Sequence, residues 1–122
     1  MLQNSLFYII TETHNDLKAT FGVGVNWQHP LFGAHFPGQP IMPGACMVQI
    51  AVELFSYLQK RSYLLTETGN VKFLQVVNPE IRDGVTFGLS WEEDADGICN
   101  VRVVVTENEQ VLSRMLLKLK SE

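Results

Sequence analysis

Apolar and polar positions alternate with a period of two in several short segments, whereas the run Ala45–Lys60 is apolar on almost every side. A period of two predicts strands with one face inward, and a long run apolar all round predicts a helix enclosed by protein. Leu6–Thr13, rich in aromatic and β-branched residues, and Ala19–Asn26, where Phe21, Val23 and Val25 alternate with Gly22 and Gly24, read as two strands of a hairpin turning at Asn15-Asp16. After the helix, four more strands are predicted at Val71–Val77, Val85–Trp91, Ile98–Thr106 and Val111–Lys120. The turns fall at Asn78-Pro79, Asp83-Gly84, Asp94–Gly97 and Glu107–Glu109. The order strand, strand, helix, four strands implies an α+β domain over residues 1–122. Its helix can be buried on its whole girth only if the antiparallel sheet curls around it.

Two details refine the picture. Gly22-Val23-Gly24 lacks the third glycine and the helix start of a dinucleotide-binding turn, so close backbone packing explains it better. On the helix, Gln49, Glu53, Ser56 and Lys60 fall at spacings of four, three and four and form its only polar stripe, which something polar must meet.

Composition excludes several classes. At 122 residues and 46% apolar, the chain has the size and the apolar content of one core. A net charge of −4 lacks the basic excess that nucleic-acid binding needs, so no nucleic-acid partner is expected. Two cysteines, Cys46 and Cys99, are too few for a disulfide framework and fit a reducing compartment. No basic leader followed by an apolar run opens the chain, and no apolar stretch is long enough to span a bilayer. A cytoplasmic protein without a membrane partner is the expectation.

Gly and Pro cluster between Gly33 and Gly44, in the segment His29-Pro30-Leu31-Phe32-Gly33-Ala34-His35-Phe36-Pro37-Gly38-Gln39-Pro40-Ile41-Met42-Pro43-Gly44. This segment, followed by the long apolar helix, resembles the active-site region of the 3-hydroxyacyl-acyl carrier protein dehydratases of bacterial fatty acid synthesis. Val71-Lys72-Phe73-Leu74 with Asn78-Pro79 and Asp83-Gly84 is similar to that family's next strand and turn. The resemblance implies the hotdog fold, a long central helix wrapped by a curved antiparallel sheet, and removal of water from 3-hydroxyacyl thioesters to give the trans-2-enoyl product. It implies no cofactor and no metal.

Such a dehydration needs a base for the C2 proton, a donor for the departing hydroxyl and a dipole for charge developing on the thioester oxygen. His35 suits the first task, because imidazole is largely the free base near neutral pH yet can hold a proton. The backbone N–H of Gly44, at the start of the helix, suits the third. Helix-leading amides are unpaired, and a residue without Cβ lets an acyl chain approach, with Pro43 fixing the turn into the helix. Phe36 and Cys46 flank these positions and join Pro43 and Gly44 as expected substrate contacts. His14 and His29 read as structural or solvated. A thiol at Cys46, so near the helix start, has a route to a lowered pKa, although a small buried apolar role accounts for it as well.

The donor departs from the family pattern. The family has Glu or Asp fourteen residues after the histidine, and Gln49 stands there. An amide can hydrogen-bond to a hydroxyl but cannot give up a proton at neutral pH, and losing a general acid costs roughly 10²–10⁴ in rate. Glu53 lies one helical turn on, where family members often carry Gln, so the two residue types look exchanged. From about 6 Å along the helix, Glu53 could act through a water or a shifted substrate, or simply serve as the polar partner of Ser56 or a loop. The resemblance further implies a homodimer or higher homo-oligomer in which the histidine of one subunit meets the acid of the other. It leaves room for a mixed dimer whose partner keeps its acid. An acidic acyl carrier protein would be met by basic side chains, with Lys60, Arg61, Lys72 and Arg82 as candidates. Besides the dehydratase, a thioesterase using Glu53 to activate water and a non-catalytic acyl-binding subunit remain as readings.

Overall fold

A computed structural model describes residues 1–34, 41–77 and 84–122. Six strands form one antiparallel sheet: β1 (Phe7–Asn15), β2 (Lys18–Val25), β3 (Tyr63–Phe73), β4 (Gly84–Glu93), β5 (Cys99–Glu107) and β6 (Gln110–Ser121), ordered β1-β2-β4-β5-β6-β3. Two helices precede β3, the short α1 (Pro30–Ala34) and the long α2 (Gly44–Gln59). Alternation places Val101, Val103 and Val105 of β5 and Met115, Leu117 and Leu119 of β6 inward, where they meet Ile50, Ala51, Leu54 and Phe55 of α2. The Phe55 ring is held edge-on by Tyr63 at 4.8 Å and Trp91 at 5.3 Å between ring centroids. The sheet is curved, and α2 lies against its concave side, so the helix is buried where its sequence is apolar.

The two hairpin glycines are explained by close packing. Tyr8 pairs with Gly24 and Thr11 with Gly22, and a Cβ on either glycine would lie 2.4 Å from the facing side chain.

Two elements differ from the sequence expectation. The third strand runs Tyr63–Phe73 rather than Val71–Val77. Its centre, Thr66–Asn70, lacks the apolar alternation of a strand, yet two register shifts against β6, at Leu65/Glu67 and Thr68/Val71, let it stay paired. Pro30–Ala34, where the sequence predicts no element, is a helical turn beginning at proline, whose missing N–H costs nothing there. His29 caps it: its Nδ1 accepts the Leu31 N–H at 3.0 Å, and its Nε2 contacts Ser5 Oγ at 3.1 Å.

Candidate active site

The site is built on the first two turns of α2. Pro43, extended at φ −63° and ψ 145°, delivers the chain into the helix. Its carbonyl accepts the N–H groups of Cys46 and Met47 at 3.0 and 3.2 Å, so the amides of Gly44 and Ala45 precede the first helical bonds. The approach is fixed across the fold by Met42 N–H donating to the Val77 carbonyl at 2.8 Å. Gly44 leaves room for the Phe73 ring at the end of β3, because a Cβ there would lie 2.6 Å from it and the ring would have to swing aside. Phe73, itself 49% exposed, thus lies over the head of α2. With Ile41, Met42, Met47 and Val77 it lines a groove of about 230 Å³ beside the Gly44 backbone. The groove, an amide-bearing helix start and apolar walls together suit an acyl group with a polarisable carbonyl.

One turn along, Gln49 and Glu53 are joined. Gln49, exposed, donates its Nε2 hydrogen to Glu53 Oε2 at 3.0 Å. Glu53 is only 4% exposed, and its remaining partners come from the amino-terminal segment. The Leu2 N–H lies 2.9 and 2.8 Å from the two carboxylate oxygens, and the Gln3 N–H donates to Oε1 at 2.9 Å. Further down the same stripe, Ser56 Oγ accepts the Tyr63 N–H at 3.1 Å, and Lys60 closes the helix in a left-handed conformation at φ 57°. Backbone groups of this same chain therefore meet the polar stripe at Glu53 and Ser56.

The structure brings Pro43, Gly44, Cys46, Gln49 and Glu53 onto one helix, whereas His35, Phe36 and the basic candidate Arg82 lie outside the described residues. Burial pushes the Cys46 thiol up, opposite to the shift a helix-start thiolate would need, and Cys46 and Cys99 are both free. Sequence reasoning missed Phe73 as a neighbour of Gly44, and missed Leu2 and Gln3 as partners of Glu53. A carboxylate in an otherwise apolar helix was the only signal that donors had to come from elsewhere. Among the described residues, no cluster of three His, Cys, Asp or Glu can hold a metal ion, and no helix is long and apolar enough to cross a membrane.

The ApeI-like family model, described as ApeI dehydratase, matches residues 11–114. The chain belongs to the ApeI-like dehydratase family. This ApeI-like chain is also similar to 3-hydroxyacyl-[acyl-carrier-protein] dehydratases FabZ. It is 26% identical over 110 residues to that of Burkholderia thailandensis, covering 82% of this chain and 66% of the relative. To that of Caulobacter vibrioides it is 30% identical over 79 residues, covering 63% and 50%. To that of Zymomonas mobilis it is 37% identical over 54 residues, covering 44% and 34%. The chain thus spans between about a third and two thirds of the length of these curated relatives. Among solved structures, the dehydratase heterocomplex ApeI:P from Xenorhabdus doucetiae superposes with a TM-score of 0.67 at 20% identity, covering 92% of this chain and 96% of that one. A mutant thioesterase PA1618 from Pseudomonas aeruginosa gives 0.56 at 13% identity, covering 90% and 79%. These likenesses establish the ApeI-like chain as a hotdog fold.

Proposed function

We propose that this protein dehydrates 3-hydroxyacyl thioesters presented by an acyl carrier protein, in the cytoplasm, to trans-2-enoyl thioesters. His35 takes the C2 proton as the C3–O bond breaks. The Gly44 amide stabilises charge on the thioester oxygen, and Pro43, Phe36 and Cys46 border the bound substrate. The observation that carries this reading is the head of α2, where a glycine amide opens beside an acyl-sized groove under Phe73.

On the leaving-group side, Gln49 hydrogen-bonds to the departing hydroxyl and Glu53 positions Gln49. Both Glu53 oxygens already accept N–H donors, which favours this holding role over that of the acid. The leaving hydroxide then needs a proton from water or from an acid on a partner subunit. This favours a mixed dimer, and the ApeI:P dehydratase is itself a heterocomplex. The open edge of β3, with Leu64 and Leu65 exposed, is the surface across which a second sheet would pair. The deciding experiment is mass spectrometry of products from a 3-hydroxyacyl-carrier substrate, with the chain alone and with a hotdog partner that retains the acid. Enoyl thioester is expected, and more of it with the partner. Free acid plus thiol would replace this reading with a thioesterase, and no product in either case would leave an acyl-binding subunit.

A further inference from the structure

The convex face of the sheet, turned away from α2, holds a cluster of cations away from the Gly44 site. Arg102 of β5, Arg114 of β6 and Lys72 of β3, together with Asn70, line a depression of about 290 Å³. The strand register brings them together. Lys72 and Arg114 are direct cross-strand partners; Arg114 faces Val104, two residues along β5 from Arg102. All three side chains are exposed, while their neighbours Val101, Val103 and Met115 point into the core.

Like charges directly opposite one another on adjacent strands destabilise a sheet. The same pair of strands follows the opposite rule nearby, where Glu67 faces Lys118 and forms an ion pair at 3.8 Å. Among the described residues, none of the three clustered cations has such a carboxylate partner. A chain of net charge −4 with thirteen acidic residues has carboxylates to spare, so three unneutralised cations around one hollow break the local pairing rule. Two guanidinium groups and an ammonium around one hollow suit a multiply charged, multi-oxygen anion, which arginine binds through paired N–H donors. We propose that this depression binds the phosphate or diphosphate group of a phosphorylated small ligand. That group comes either from the pantetheine arm of a thioester substrate or from a free phosphorylated metabolite. The anion site rests on a different face of the sheet from the dehydratase reading, and only its thioester-arm source depends on that reading.

The test is titration of the full chain with inorganic pyrophosphate at constant ionic strength, followed by calorimetry. Saturable binding is expected, weakened about tenfold or more by Arg114→Gln and by Arg102→Gln. Lys72→Gln supplies the second readout with effects of opposite sign: it relieves the repulsion with Arg114, so the melting temperature of the unliganded protein rises while pyrophosphate affinity falls. Pyrophosphate binding that is not saturable, or that is unchanged in both arginine variants, overturns the proposal. So does a Lys72→Gln protein that is less stable and binds pyrophosphate as before. The two sources separate by competition. Displacement of pyrophosphate by 4′-phosphopantetheine far more strongly than by inorganic phosphate assigns the site to the thioester arm, and equal displacement assigns it to a free ligand.

Discussion

Glu53 receives the Leu2 amide hydrogen on both carboxylate oxygens, at 2.9 and 2.8 Å, across a separation of 51 residues in sequence. The contact ties the amino-terminal segment to the middle of α2 and spends most of the carboxylate's hydrogen-bonding capacity. Glu53→Ala strands the Leu2 and Gln3 amides in a largely buried setting and should cost about 2–4 kcal/mol, with Glu53→Gln costing about half as much. Urea denaturation checks both. A wild-type midpoint in either variant would show that the amino-terminal segment does not depend on this carboxylate.

Activity separates the site residues. His35→Ala should abolish dehydration, while His14→Ala leaves it near wild type. Gln49→Glu should raise the rate of the chain alone by a factor of about 10², the usual worth of a positioned general acid. The new carboxylate would stand one turn from Glu53, and their repulsion favours one of the two holding a proton. A steady-state assay with and without the mixed-dimer partner reads this directly, and no gain from Gln49→Glu would mean that the missing acid is not the limitation.

The Gly44–Phe73 contact predicts a suppressible defect. Gly44→Ala drives a methyl group into the Phe73 ring, where the vacant Cβ position lies 2.6 Å from Cε2 and Cζ. Because the half-exposed Phe73 ring can swing aside, the cost should stay at the low end of overpacking, about 1 kcal/mol. Phe73→Ala in the same chain should recover most of it, and a double-mutant cycle measures the coupling. Additive losses would show that the two sites do not share the strain.

Asp94 predicts an acid limb. Its Oδ1 accepts the N–H groups of Ile98 at 3.0 Å and Asp96 at 2.9 Å, which holds the carboxyl below the usual carboxylate range, Ile98 contributing most. A carboxyl whose folded-state pKa is depressed adds stability above its unfolded pKa, and that contribution fades as pH falls toward the folded value. The melting-temperature gap between wild type and Asp94→Ala should therefore be largest near neutrality and close as pH falls below the usual carboxylate range. A gap independent of pH would assign the effect of Asp94 to something other than its charge.

Much of this architecture was legible because strands β2, β4, β5 and β6 and the apolar α2 each repeat one simple period in sequence. The middle of β3 was not: Thr66-Glu67-Thr68-Gly69-Asn70 lacks the apolar alternation of a strand, and pairing with β6, through two shifts of register, keeps it extended. The four-residue spacing of Gln49 and Glu53 revealed that they share a helix face. It could not reveal that Leu2 and Gln3 would arrive there, because no local pattern marks a contact made from the far end of the chain. The short helix α1 was equally hidden, since five residues are too few to display a period, and its cap is a histidine rather than the usual Ser, Asp or Asn.

The position of β3 at the sheet's margin also bears on how the protein is handled during synthesis. A long strand at the end of the sheet with exposed leucines is a template for indiscriminate aggregation until a proper neighbour covers it. If two different subunits meet along that margin, neither accumulates safely in excess of the other. Their production must then be matched, with the surplus of either one left to chaperones and proteases.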